Sequence, residues 1–271
     1  ELYLSLISRR IERTFAQARI RAILQQRRKL QAEKQRQPPK TPKFDPVKGH
    51  HARQLNLSFG QVQHQNFVEI EHRQAYHDLI DPQVGHRFGT QLVFLQGKLQ
   101  IQQDHVKIES FKLMSAQSFN PIHPFRAPLS WGMQFNWQQE SVHDGKFSDD
   151  KQHGVINLNA QAGYSIADQD NHVLCYTQMQ GILQAGKSLK DGWRIAPAPS
   201  FGCLNQWSEH INSTLQIEVP FWIEQDKWNL RVNNQWQYAF NQNNAVRLNW
   251  QYQLQEAQDW HKFSLGYAHY F

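Results

Sequence analysis

From about residue 52 to residue 271 the chain alternates between apolar and polar positions. In 226–241, Trp228, Leu230, Val232, Trp236, Tyr238 and Phe240 share one parity, interrupted only by Asn234; Asn229, Arg231, Asn233, Gln235 and Gln237 share the other. In 245–254, Val246, Leu248, Trp250, Tyr252 and Leu254 oppose Arg247, Asn249, Gln251 and Gln253. In 129–138, Leu129, Trp131, Met133, Phe135 and Trp137 oppose Ser130, Gly132, Gln134, Asn136 and Gln138. A period of two is the mark of a strand with two unlike faces. The alternating stretches run to ~10–14 residues, against ~5–6 for an ordinary strand. A tilted strand that crosses a bilayer needs ~9–11.

The pattern predicts about twelve strands, at 52–61, 65–77, 87–101, 105–118, 128–139, 153–166, 171–184, 192–206, 210–223, 227–240, 244–255 and 259–271. Parity wavers in 87–101, 105–118 and 171–184, where a β-bulge or a miscounted strand is expected. Residues 2–36 instead place Leu4, Ile7, Ile11 and Phe15 at three- and four-residue steps, the period of a helix. The stretch QPPKTPKFDP (37–46) ends it as an extended linker. Two regions follow: 1–46, a basic helix and Pro-rich linker, and 47–271. The fold class is all-β, an antiparallel transmembrane β-barrel preceded by a basic N-terminal helix. An apolar outer face, a polar lumen face and aromatic girdles define such barrels.

Composition supports this picture. Aromatic residues reach 12% and include nine Trp, although hydrophobic residues total only 39%. Gln and Asn fill the second face where a soluble sheet would expose Lys and Glu. The formal charge of +6 is unevenly placed. Residues 1–43 carry twelve basic against three acidic side chains, and the remainder carries seventeen against twenty. A nucleic-acid partner would rest on the first segment alone, and a solvated basic helix explains that segment without one. No apolar run approaches the ~20 residues of a transmembrane helix. The opening ELYLSLISRR reads as the interior of a longer or processed chain.

With both barrel ends at the periplasmic rim, short turns belong on that side and longer loops outside. The charged stretch 140–154 falls outside, and the turns at 168–171 and 241–244 fall on the periplasmic side. Two connections, 77–87 and 119–128, are long yet periplasmic, and rich in His, Arg, Asp and Pro. They are expected to contact the upstream part of the protein.

Tyr76, His77, Asp78 and Asp81, with His86 and Arg87, form a cluster at that rim. A His beside an Asp is the arrangement of an oriented base. The competing reading is a hydrogen-bonded turn, formed by Asp78 and Asp81 around Pro82. No nucleophile accompanies the cluster, so no catalytic residue is assigned. The fourteen His show no ligand spacing on a helix, so no metal and no cofactor is expected. Cys175 and Cys203 flank the hairpin around 185–192. They either face each other in a bridge, which an oxidising periplasm permits, or stand as two unpaired residues on the wall. Trp131, Trp137, Trp228, Trp236 and Trp250 are expected at the membrane interfaces, with stacking on a sugar as the alternative.

The strings GHHARQLNLSFG (49–60), QAYHDLIDPQVGHRFGTQLVFL (74–95) and NPIHPFRAPLSW (120–131) resemble the C-terminal region of a large bacterial family. Its members carry an N-terminal periplasmic domain similar to B-type lipoprotein N-acyltransferases, then a helical segment and a barrel. The resemblance implies that any acyltransferase-like chemistry belongs to that upstream domain, on a Cys and a His outside this chain. The terminal FSLGYAHYF also resembles the closing signal read by the barrel assembly machinery. Gly266, Tyr267, His269 and Phe271 would carry it, with His269 where an aromatic or aliphatic residue is more usual.

The expected function is an outer-membrane barrel module that anchors and positions an upstream periplasmic domain. Its expected partners are outer-membrane lipids, the assembly machinery and that domain. The alternatives are an outer-membrane lipid-modifying enzyme, with His143, Asp144 and Ser148 in the long outer loop, a narrow pore, or a soluble ligand-binding barrel with its apolar face inward.

Overall fold

The computed structural model describes residues 13–29, 49–103, 105–141, 152–168, 170, 172–255 and 258–271. The chain forms two units, Glu1–Lys43 and Phe44–Phe271. In the first, helix α1 spans Arg13–Lys29. Arg27, Arg28 and Lys29 occupy its last turn, where the negative end of the helix dipole favours cations. The rest of the predicted 2–36 helix and the 37–46 linker lie outside the described residues.

The second unit is a closed antiparallel sheet. Its strands are β1 (Gln54–Val62), β2 (Gln65–His77), β3 (Thr90–Ile101), β4 (Val106–Ser118), β5 (Ser130–Ser141), β6 (Gln152–Ala167) and β7 (Val173–Ala185). There follow β8 (Trp193–Gln206), β9 (Ile211–Glu218), β10 (Phe221–Trp222), β11 (Lys227–Asn241), β12 (Asn244–Gln255) and β13 (Gln258–Tyr270). Apart from β9 and β10, which do not pair with each other, each strand pairs with its sequence neighbours, and β13 pairs with β1 to close the ring, Gln54 opposite Tyr270 and Val62 opposite Lys262.

Twelve strands form the wall, because β9 and β10 are one wall position interrupted at Pro220. Both pair with β11. Proline has no N–H for the ladder, so the predicted 210–223 strand breaks there. Bulges fall between Lys98 and Leu99 and between Lys112 and Met114, within two of the three stretches of uneven parity. A further one lies at Ala239/Asn241, in a strand whose parity gave no warning. The third uneven stretch, β7, is regular. Its pattern misleads because Leu174, Tyr176 and Ile182 point inward and are buried, so both faces carry apolar residues.

Face assignment follows parity between the bulges. Leu55, Leu57 and Phe59 of β1 are exposed on the outer surface, while Gln54, Asn56 and Ser58 are buried inside. In β13, Phe263, Leu265 and Tyr267 are exposed, as is Phe271 just beyond it, whereas Ala268 and Tyr270 are buried. Trp131, Trp228, Trp236 and Trp250 are exposed and Trp137 is half-buried. A ring of exposed Leu, Phe, Ile and Trp around a polar interior inverts the soluble ligand-binding barrel, whose apolar side would face inward. The architecture is that of an outer-membrane barrel.

Cys175 and Cys203 lie directly opposite each other on β7 and β8 and form a disulfide, with Cα atoms 4.1 Å apart. Of the two readings, the bridge is the one realised. Their parity is that of Thr177, Met179 and Phe201, so the bridge sits on the outer face.

Candidate functional site

The start of β1 and the end of β13 mark one rim of the barrel. The connections 78–89 and 119–129 open onto it. Neither hangs free. The 78–89 loop folds into the mouth as a plug, with Ile80 and Asp81 almost wholly buried. Asn212, from β9 on the other side of the ring, donates its Nδ2 to the carbonyls of Ile80 and Asp81 at 3.4 and 3.1 Å. The 119–129 loop packs beside it. Phe119 is buried and stacks on Tyr176 with ring centres 4.3 Å apart, and Leu79 and Phe88 of the plug pack on the same cluster. Gly89 is required where the two loops meet. Its φ is +77°, a β-carbon there would press on Leu174 and Phe119, and its carbonyl accepts the Phe119 N–H at 2.8 Å.

Asp81 is the electrostatic centre of the plug. Its carboxylate accepts from the Asp78 N–H at 2.7 Å, and the Asp81 N–H donates to the Asp78 carbonyl at 3.1 Å. This is the predicted turn. The same carboxylate also lies 2.7 Å from the Arg73 guanidinium of β2 and accepts from Arg247 of β12. The Tyr270 hydroxyl donates to Asp81 Oδ1 at 2.8 Å, and Arg247 donates to Gln237 at 2.8 Å. One carboxylate therefore ties the plug to three wall strands. Burial alone would raise its pKa, but Arg73 and Arg247 outweigh that and hold it well below the usual carboxylate range.

Beside Asp81 stand His50, His77 and His86. His50 is buried, and burial lowers its pKa against the opposing pull of Asp81. Burial also lowers His86, followed by repulsion from His50. Of the six residues predicted as a cluster, His77, Asp78, Asp81 and His86 converge. Tyr76 faces outward and is exposed. Arg87 turns to the neighbouring loop and donates to Asn120 at 3.2 Å. The sequence reading missed Arg73, Arg247 and Tyr270, and did not single out His50. A signal existed for Arg247: it is a charged residue on the inward parity of a strand that otherwise carries mostly Gln and Asn there.

The lumen beyond the plug is polar and charged. Along β5, Gln134, Asn136, Gln138 and Glu140 hydrogen-bond in series at 2.9, 2.8 and 3.2 Å. Toward the other rim, Glu140 pairs with Arg194 and Arg231, and Arg194 lies 3.7 Å above the ring of the buried Trp222. A second network joins Glu69, Glu71, Glu109, Lys98 and Lys262. Between plug and networks lies a polar cavity of about 410 Å³. His143, Asp144 and Ser148, the candidate set for lipid chemistry, lie outside the described residues.

Several solved structures are similar to the chain. The chain is similar to a KdgM porin, with 8% identity, a TM-score of 0.43, and 80% of this chain and 99% of that one covered. It is similar to a NanC porin at 7% identity and TM-score 0.48, covering 80% and 99%. It is also similar to the COG4313 outer membrane channel from Pseudomonas putida F1 at 7% identity and TM-score 0.49, covering 88% and 100%. No curated protein matches the chain. Residues 43–270, the whole barrel with its plug, match the family described as Domain of unknown function (DUF7840), and the chain belongs to that family.

Proposed function

We propose that this barrel is a plugged anchor in the bacterial outer membrane. It holds a periplasmic domain, carried on the preceding chain, at the rim where β1 begins and β13 ends. The observation that carries the reading is the plug: a loop drawn into the mouth, held by the Asp81 carboxylate to β2, β12 and β13 and by its backbone carbonyls to Asn212 of β9, obstructs the path a solute would take. The exposed aromatics Trp131, Trp228, Trp236 and Trp250 support seating in a bilayer, where such rings favour the headgroup region. On this reading lipids cover the outer face, and the assembly machinery reads Gly266, Tyr267, His269 and Phe271. The sequence resemblance is what supports an acyltransferase-like upstream domain. The barrel supplies its position and no catalytic group.

A second reading, a gated narrow pore, is favoured by the polar cavity of about 410 Å³ behind the plug. Planar bilayers separate the two. The anchor reading expects no steady conductance from the wild-type barrel and none from a variant lacking residues 79–87. Steady conductance of the wild type overturns it, and conductance only after plug removal transfers support to the gated pore.

A further inference from the structure

Three imidazoles meet at the plug, and they come from three pieces of the chain. His50 lies on the segment that enters β1, His77 closes β2, and His86 belongs to the plug loop. Each offers a nitrogen within 4.8 Å of the other two. Hydrogen bonding settles one tautomer. The His51 carbonyl only accepts, so His50 Nδ1 carries the proton and donates to it at 2.7 Å. In the neutral ring Nε2 is then a lone pair, and it lies 2.9 Å from His77 Nδ1. The other nitrogen of His77, Nε2, is buried without a hydrogen-bond partner among the described residues. No second partner therefore commits His77 to one tautomer. With its proton on Nε2, two lone pairs face each other, which is the arrangement of a chelating pair.

We propose that His50, His77 and His86 form a binding site for a divalent transition metal of the zinc class, with Asp81 as the adjoining carboxylate. The ion would staple the entering segment and the plug to the barrel wall. His50 Nε2, His77 Nδ1 and Asp81 Oδ2 form a triangle with sides of 2.9, 3.6 and 3.8 Å. Its centre lies about 2 Å from each corner, the bond length zinc takes to imidazole or carboxylate (about 2.0–2.2 Å). The His77 and His86 rings are stacked almost parallel, 3.9 Å apart, so His86 completes the set by turning its edge toward the ion. Gly85, with φ +82°, directly precedes it. Imidazole must be neutral to ligate, and burial favours the neutral form of both His50 and His86. The His50 Nδ1–H held by a backbone carbonyl is the outer hydrogen bond that metal-bound histidines commonly make. Asp81 Oδ2, shared with Arg73, gives the ion a negative neighbour before it meets the guanidiniums. Three nitrogens and a carboxylate suit zinc and disfavour magnesium, which prefers six oxygens.

The test titrates zinc chloride into the full chain, folded in detergent, by calorimetry, with magnesium chloride as control. One zinc per chain is expected, with no magnesium uptake and a zinc-dependent rise in Tm. His86→Ala, at the solvent edge of the stack, leaves the wall intact. It is expected to weaken zinc at least tenfold and abolish the Tm rise, as is His50→Ala. Absence of stoichiometric zinc binding overturns the proposal, and so does unchanged affinity in both variants, which would place zinc elsewhere.

Discussion

Replacing Asp81 with Asn would leave Arg73 and Arg247 buried with no carboxylate between them. Removing one partner of a buried ion cluster costs about 3–5 kcal/mol, because the remaining charge is left uncompensated. Asp81→Asn should therefore shift the urea midpoint of the folded barrel strongly downward, and an unchanged midpoint would show that the carboxylate does not hold the plug. The histidines make a separate prediction about pH. His50 and His86 have folded pKa values below the ordinary 6.5. The unfolded chain then binds more protons, so their contribution is complete above about 6.5 and is lost as pH falls through the folded values. Metal-free barrel should lose stability as pH falls below about 6.5, and His50→Gln should flatten that slope. Asp81 acts in the same sense but at lower pH. Its folded value is depressed, so its contribution is full above the unfolded carboxylate range and disappears only in stronger acid. At this scale the sequence showed part of the site. His77, Asp78, Asp81 and His86 are close in sequence and drew attention. Arg247 and Tyr270 are far away in sequence, and only ring closure brings them to β2.

Single elements were largely legible because alternation is a local property. The β2 and β12 boundaries agree with those read from the pattern, and most others differ by one to three residues. The misreadings have local causes. Thr90 rather than Arg87 opens β3 because 87–89 belong to the plug, and Pro220 splits β9 from β10. The disulfide was an open alternative because register decides it: a shift of one residue would place Cys175 and Cys203 on opposite faces. It joins β7 and β8 across a separation of 28 residues. A closed loop of that size constrains the unfolded chain by about 3–4 kcal/mol. Cys203→Ser should lower unfolding stability by up to that amount, and the oxidised wild type should migrate faster than the reduced form in denaturing electrophoresis. Equal mobility would rule out the bridge.

For the whole molecule, the outer surface is the decisive feature. Leu265 is 51% exposed near the middle of β13, on the apolar face. An Arg at mid-bilayer in such a barrel costs about 2–4 kcal/mol, whereas the same change in water would cost little. Leu265→Arg should therefore sharply reduce the stability of barrels folded into liposomes, and a neutral result would argue against lipid contact at that position. Deleting Phe271 tests the closing signal: membrane insertion should fall, and normal assembly without it would remove that role from the final residue.

The sequence by itself determined the strand architecture and its two faces. Each follows from a period-two pattern that any short window contains. It also marked the plug loop as unusual through its length, charge and proline. Tertiary structure alone decided that this loop turns into the lumen. It decided, too, that Asp81 meets arginines from two wall strands and that three separate histidines share one corner. Those contacts join residues up to 189 positions apart. No local pattern encodes such pairs; they exist because β1 and β13 close the ring.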